Sequence, residues 1–260
     1  MSNTGHITVT ILVKNAEGTI RECLQAVRMF GEIVIVDNES SDGTRALIEA
    51  FAAQHGRVKV VESPFIGFGA LKQLAVREAS NDWILSIDAD EILQEKAVQA
   101  IEALPLSENT VAALARMNHY DGTWVKGCGW YPDYVWRLFN RKHTGFNSNT
   151  VHEGVELPEG SRKVYLKEAL KHYAATDISS MLAKMNRYTS YSAREKWEKG
   201  RRVTVFGALL RGWLTFHKDY LFRGGFRYGY KGFVIALSNA SGTFYRYLKL
   251  YELQKKAAGR

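Results

Sequence analysis

The chain has 260 residues, 46% of them hydrophobic, and its 35 Lys+Arg against 27 Asp+Glu give a formal charge of +8. That content supports a sizeable core in one large domain or a domain with an appendage, and the 24% charged and 12% aromatic fractions exclude an intrinsically disordered chain. Two cysteines, Cys23 and Cys128, exclude a disulfide scaffold and fit a reducing compartment; the polar Met1–His6 stretch predicts no secretory signal, and no apolar run reaches the about 18 residues of a membrane-spanning helix.

His6–Val13 is β-branched and apolar, the composition of a buried strand. Lys14–Gly18 interrupts it, and Thr19 stands where an N-cap would open a helix running to about Phe30. Glu32–Val36 is a second apolar strand ending at Asp37. The polar loop Asn38–Thr44 follows, with Ser41 or Asp42 placed to cap a helix over Arg45–His55. Val58–Glu62 reads as a third strand, Gly67-Phe68-Gly69 as a flexible turn, and residues 70–80 as a helix. Asp82–Ile87 is the fourth strand, ending at Asp88-Ala89-Asp90-Glu91. Strands alternating with helices of about 10–15 residues predict an α/β class built on a parallel sheet. Ligands in such sheets bind beyond the carboxyl ends of the strands, where Asp37 and Asp88 both stand. No G-x-G-x-x-G follows the first strand and no G-x-x-x-x-G-K-[ST] occurs. A dinucleotide-binding Rossmann reading therefore lacks its phosphate loop, and a P-loop NTPase is excluded.

Asp88 and Asp90 lie two residues apart, so extended backbone points both carboxylates the same way, toward one hard cation. Mg²⁺ and Mn²⁺ take oxygen ligands of this kind together with substrate phosphates. Taken alone, a D-x-D is also the composition of a solvated turn. Asp37 can accept a hydrogen bond from a ribose hydroxyl or a base N–H; an Asx-turn is its other reading.

The stretches ILVKNAEGTI, VIVDNESSDGT and WILSIDADE together resemble the family 2 glycosyltransferases, inverting enzymes of GT-A fold that use nucleotide-sugars. Trp130-Tyr131-Pro132-Asp133-Tyr134, Arg137-Leu138-Phe139 and Val151-His152-Glu153 are similar to the branch containing the lipopolysaccharide core β-1,4-glucosyltransferases. The resemblance spans roughly residues 6–250 and implies an α/β GT-A fold, a Rossmann-like mixed sheet. It implies a uridine contact at Asp37, beside Asn38, and a Mg²⁺ or Mn²⁺ ion held on the donor diphosphate by Asp88 and Asp90. Many members place a catalytic Asp in an E-D pair after the metal motif. No such pair occurs here, and the matching carboxylate is Glu153, the expected base. His172 can supply a third metal ligand or serve a structural role. Lys72 and Arg137 can neutralise a diphosphate or an acceptor phosphate, or be ordinary surface cations. Trp130 and Tyr131 suit sugar stacking and core packing equally.

The charge is unevenly spread. Residues 1–160 hold 14 Lys+Arg against 21 Asp+Glu, a net of −7, whereas residues 161–260 hold 21 against 6, a net of +15, with 18 of the 31 aromatics. Ile178–Lys199 has helical spacing that places Met181, Leu182, Met185, Tyr188 and Tyr191 on one face. Arg201–Tyr251 interleaves Phe206, Leu209, Leu210, Trp213, Phe216, Phe222 and Phe226 with arginines and lysines, as segments lying in a membrane interface do. A helical subdomain with a solvated basic face is the other reading, and no nucleic-acid motif accompanies the charge. The expected organisation is a catalytic domain over 1–175 and a basic helical extension over 176–260. The expected activity is transfer of a hexose, glucose from UDP-glucose, to a lipopolysaccharide core or other lipid-linked acceptor, by a cytoplasmic protein peripheral at the inner membrane face. A transferase for another envelope glycan, or an inactive membrane-associated protein of the same fold, are the alternatives.

Overall fold

The computed structural model describes residues 2–149, 153–175 and 177–259, so Val151 and His152 lie outside the described residues. The chain forms two compact units. One comprises residues 1–117 and 133–172, the other residues 118–132 and 173–260. The stretch 118–132, which the sequence reading assigns to the catalytic part, thus folds with the C-terminal helices.

The first unit opens with β1 (Ile7–Val13), α1 (Ile20–Val27), β2 (Glu32–Asp37), α2 (Thr44–Ala52), β3 (Val58–Glu62), α3 (Phe68–Arg77) and β4 (Trp83–Asp88). It continues with β5 (Glu91–Leu93), α4 (Glu95–Ala103), β6 (Thr110–Tyr120) and, beyond the two-residue β7 (Thr123–Trp124), with β8 (Asp133–Asn140) and β9 (Arg162–Ala175); β6 and β9 each run on past the unit's limits. The strand order is β3-β2-β1-β4-β8-β6-β9-β5. β1 through β4 are parallel, as expected, while β8 is antiparallel to both β4 and β6, and β5 is antiparallel to β9. The chain winds from β1 to β2 and β3 on one side, then returns to lay β4 on the other. That reversal opens a crevice at the strand ends.

Burial on both faces holds the central strands of the sheet together. Ile7, Val9 and Ile11 are fully buried on one face of β1. On the other face of the sheet Val34 and Val36 pack with Leu71, Ala75 and Val76 of α3, and with Ile84, Val111 and Phe139. Each such side chain contributes about 1.5–3 kcal/mol when withdrawn from water. Local punctuation differs from expectation at two points. Thr19 does not cap α1: its hydroxyl donates back to the Ala16 carbonyl (3.4 Å), and the helix ends at Val27. Gly69 is not a flexible turn. It lies inside α3, donates its N–H to Asn149 O (3.1 Å), and an added Cβ would fall 2.2 Å from Asn147 O. Asp42, by contrast, accepts the Thr44 N–H (3.0 Å) at the start of α2 as expected.

The second unit contains α5 (Ile178–Glu198), α6 (Val205–His217), a π-turn over Lys218–Phe222, a 3₁₀ turn over Gly225–Tyr228 and α7 (Gly229–Ala257). Asp177 and Ser180 form a capping box on α5, and Thr204 caps α6 through the Gly207 N–H (3.0 Å). Tyr120, Val125 and Cys128 of the 118–132 segment share a core with Ile235 and Ala236 of α7. Gly212 of α6 meets Phe244 of α7, where an added Cβ would lie 3.0 Å from the Phe244 Cβ. The apolar face expected on α5 turns inward only at its methionines, Met181 packing on the unit's core and Met185 lying against Gly242 of α7. Thr189 and Ala193 are buried while Leu182, Tyr188 and Tyr191 are exposed. Lys249 Nζ of α7 instead donates to Asn186, Thr189 and Ser190 at 2.8–2.9 Å, so this seam is small and polar. Among the described residues no helix is long and apolar enough to cross a membrane.

Candidate functional site

The register places two acids beside the C-terminal end of β1. Val13 pairs with Asp37 across one edge and Leu12 with Asp88 across the other. Both acids therefore border the crevice, one strand to either side of β1. Asp37 is buried, and its Oδ1 accepts the Ser40 N–H (3.2 Å) and the Ser40 hydroxyl (2.6 Å). The same hydroxyl oxygen accepts Asn15 N–H (3.0 Å), and Asn15 Oδ1 accepts Ser41 N–H (2.8 Å). The loops after β1 and β2 are thus stitched together around Asp37. Asn38 knits the same strand ends: its N–H reaches Val13 O (2.9 Å) and its side-chain amide donates to Ser63 O (3.0 Å).

Lys72, Asp88, Arg137 and Glu153 converge. Lys72, on α3, is buried and stands 2.9 Å from Asp88 Oδ1 and 3.1 Å from Glu153 Oε1. Arg137, on β8, places Nη2 2.6 Å from Asp88 Oδ2. Neither cation is the surface residue that one reading of the sequence allows. Burial works against the ionised Asp88, but Arg137 and Lys72 outweigh it and hold the carboxyl well below the usual carboxylate range. Burial likewise opposes the charge on Arg137, and Asp88 and Glu91 together keep it firmly protonated. Glu153 is held against Lys72 rather than lying as a free surface carboxylate.

The second pair is Asp90 and His172. His172 Nε2 on β9 stands 3.5 Å from Asp90 Oδ2, because Glu91 and His172 are register partners between β5 and β9. Asp88, expected as a fellow metal ligand, has both oxygens engaged by cations. Among the described residues no group of three or more His, Cys, Asp and Glu side chains forms a metal cage. An adjacent carboxylate and imidazole fit a divalent ion that takes its remaining ligands from phosphate and water. Beneath this loop the Cys23 thiol of α1 donates to Asp88 O (3.8 Å). Burial first, and then the nearby carboxylates of Glu91, Asp90 and Asp88, push that thiol up in pKa.

Two participants escape a reading by motif. Glu91 is fully buried; both its oxygens contact Arg137 Nη2 (2.7 and 2.8 Å), and Oε2 also accepts the Asp88 N–H (3.0 Å). Arg116 of β6 lies 3.6 Å from Glu91 and donates to Asp133 Oδ2 from Nε (2.9 Å) and Nη2 (2.8 Å). Both had a signal: Glu91 leads directly into the apolar Ile92-Leu93, and Arg116 interrupts the apolar run of β6. Trp130 and Tyr131 belong to the second unit, where Tyr131 meets Trp124 edge-on and Lys126 lies 4.0 Å over the Trp124 ring.

Comparison with known proteins gives these carboxylates a context. The sequence model described as "Glycosyl transferase family 2" matches residues 8–174. An uncharacterized glycosyltransferase of Rickettsia bellii is 31% identical over 96% of this chain and 87% of its own length. The lipopolysaccharide core biosynthesis glycosyltransferase LpsC of Rhizobium meliloti is 28% identical over 95% of this chain and 92% of its own. Among solved structures, the mannosyltransferase PcManGT from Pyrobaculum calidifontis, in complex with GDP-Man and Mn2+, superposes with a TM-score of 0.51 at 14% identity, covering 98% of this chain and 75% of that one. With the family match covering more than half of the chain and the sheet wound in the same GT-A manner, this protein belongs to glycosyl transferase family 2.

Proposed function

We propose that the chain transfers a hexose, glucose from UDP-glucose, with inversion, to the core oligosaccharide of lipopolysaccharide or another lipid-linked glycan. The observation that carries the reading is the contact between Glu153 and Lys72, which sets a carboxylate base beside a cation that also faces Asp88. The likeness to LpsC supports the choice of acceptor class.

In this reading Asp37 receives the uridine, with Oδ2 left for it once Oδ1 is satisfied by Ser40, and Asn38 fixes the strand end that carries it. Lys72 and Arg137 face the diphosphate, and Asp88 holds the two cations in place before the donor arrives. Glu153 takes the proton from the acceptor hydroxyl as its oxygen bonds to the anomeric carbon. The bond from that carbon to the β-phosphate oxygen breaks, and its electron pair leaves on UDP, whose added charge the two cations offset. A Mg²⁺ or Mn²⁺ ion held by Asp90 and His172, with Asp88 beside them, supplies Lewis acidity at the same diphosphate when bound. The basic second unit brings the enzyme to the anionic inner face of the cytoplasmic membrane, where lipid-linked acceptors are presented.

A panel of nucleotide-sugars with a lipid-linked core acceptor tests this directly. UDP-glucose gives the highest rate, the product carries the inverted anomer by NMR, and Glu153→Gln lowers kcat by about 10²–10⁴-fold while UDP binding persists. In the same assay Asp90→Ala raises the Mn²⁺ concentration needed for half-activation. A Glu153→Gln enzyme at full rate refutes the base assignment, and absence of turnover with every donor refutes the reading.

A further inference from the structure

We infer that Glu91 is the positioning residue of the donor site, setting Arg137 and the acidic loop in one fixed geometry, with Arg116 as its counterweight. The inference rests on the reading of Arg137 as a diphosphate-facing group.

The physical argument starts from what Glu91 costs. It is fully buried, and a carboxylate withdrawn from water is stabilising only when its charge and lone pairs are met. They are met by two cations distant in sequence, the guanidinium of Arg137 from β8 and Arg116 from β6, and locally by the backbone N–H of Asp88 at the end of β4. An apolar side chain of similar volume stabilises a core about as well as a buried ion pair does, so stability alone does not call for a charge here. Orientation does. Arg137 spends a single nitrogen, Nη2, on three carboxylate oxygens, two from Glu91 and one from Asp88. Among the described residues its buried Nε has no hydrogen-bond partner. The guanidinium is therefore gripped at one corner, with donor capacity beyond that corner. Without Glu91 that corner would answer to Asp88 alone.

Glu91 also couples the two halves of the site. Its acceptance of the Asp88 N–H fixes the strand end that carries Asp88 and leads into Asp90. Its register partner on β9 is His172. One buried side chain therefore fixes the guanidinium and the strand end, on a strand whose backbone pairs with that of His172. Arg116, itself gripped by Asp133, closes the chain on the far side, so that Glu153, Lys72, Asp88, Arg137, Glu91, Arg116 and Asp133 alternate in charge from one end to the other.

The test replaces Glu91 by Gln, which keeps the shape and one acceptor oxygen but removes the charge. UDP affinity in the presence of MnCl₂, measured by calorimetry, falls about tenfold, and the donor KM rises in step. The tenfold loss is the size of effect one lost charge-assisted bond produces, and the acceptor KM stays within twofold. Glu91→Asp restores part of the affinity, since it returns the charge at a shorter reach. Arg116→Gln, at a partly exposed position, raises the donor KM about threefold and serves in its place if Glu91→Gln does not fold. Donor KM and UDP affinity within twofold of wild type in Glu91→Gln, or in Arg116→Gln where that variant stands in, overturn the inference. So does a lowered Tm with unchanged donor KM, which marks a purely structural role. A wild-type chain that neither binds UDP nor transfers sugar refutes instead the function on which the inference rests.

Discussion

Asp88 shows how two buried cations set the charge of one carboxylate. Its pKa is set by competition: burial favours the neutral acid, and Arg137 and Lys72 favour the anion and win. Because the folded pKa lies below the unfolded one, the stabilisation is complete above the ordinary carboxylate pKa of about 4 and is lost as the pH falls below it. Asp88→Asn removes that contribution at neutral pH and leaves Lys72 and Arg137 with one carboxylate partner fewer each. We expect a loss of about 1–3 kcal/mol near pH 7, from the removal of hydrogen bonds to charged groups. Melting curves of the two proteins should then draw together as the pH is lowered from about 4 toward 2, because the unfolded chain takes up the Asp88 proton there while the folded carboxylate, held lower by its cations, does not. A gap in Tm that stays constant down to pH 2 would contradict the ion-pair account. Asp88, Arg137 and Glu153 are legible from sequence because motifs hold them, whereas Lys72 stands in no motif and reads equally as a surface cation. Glu91 and Arg116 are found only by asking why an ionisable residue interrupts an apolar stretch, since their meeting depends on β5, β6 and β8 coming together.

Elements with strong period-two or β-branched patterns, β1, β2 and β4, read directly from the chain because both faces of each are buried and composition alone marks them. α5 misleads for a physical reason. Its partner side is defined by Met181, Met185 and the small Thr189 and Ala193, so Leu182, Tyr188 and Tyr191 point outward. α6 goes further in the same direction. Ala208 and Gly212 face α7, and the rest of the helix presents Phe206 (71% exposed), Leu209, Leu210 and Trp213 (57%) to solvent, at the i, i+3, i+4, i+7 spacing of one stripe. At 13 residues the helix is about 20 Å long, enough to lie in a lipid headgroup layer and too short to span one. Phe222, in the π-turn that follows, is 86% exposed beside the exposed Lys218 and Arg223. Exchanging Phe206 and Trp213 together for Ser should leave the buried seam of α6 intact and lower partitioning onto phosphatidylglycerol vesicles by about 100-fold or more, the penalty for two large apolar side chains no longer entering lipid. Unchanged vesicle binding, or a wild-type chain whose stripe is covered by a second copy in analytical ultracentrifugation, would assign the stripe to another partner.

The charge of the molecule divides as its folding does. The first unit holds 17 Lys+Arg against 21 Asp+Glu and the second 18 against 6, so the net charge of +8 is a weakly acidic unit joined to a strongly basic one. Within the first unit Lys72, Arg116 and Arg137 offset part of the charge of the site's carboxylates, Asp37, Asp88, Asp90, Glu91, Asp133 and Glu153, and leave a negative excess. In the second unit the cations greatly outnumber the acids, and Arg202, Arg211, Lys218 and Arg223 are exposed on or beside α6. Each cation near an anionic leaflet adds about 1 kcal/mol, an attraction that reaches about 10 Å at 0.1 M salt and about 3 Å at 1 M. Flotation with phosphatidylglycerol-containing vesicles at about 0.05 M NaCl should therefore recover most of the protein, and phosphatidylcholine vesicles much less. Raising the salt to about 1 M should strip the electrostatic share and leave a residue of binding carried by the α6 stripe. That residue should vanish in the Phe206→Ser, Trp213→Ser variant, while the salt-sensitive part persists. Salt-independent binding, or equal binding to both lipids, would mean that the basic surface of the second unit serves a soluble anionic partner instead of the membrane.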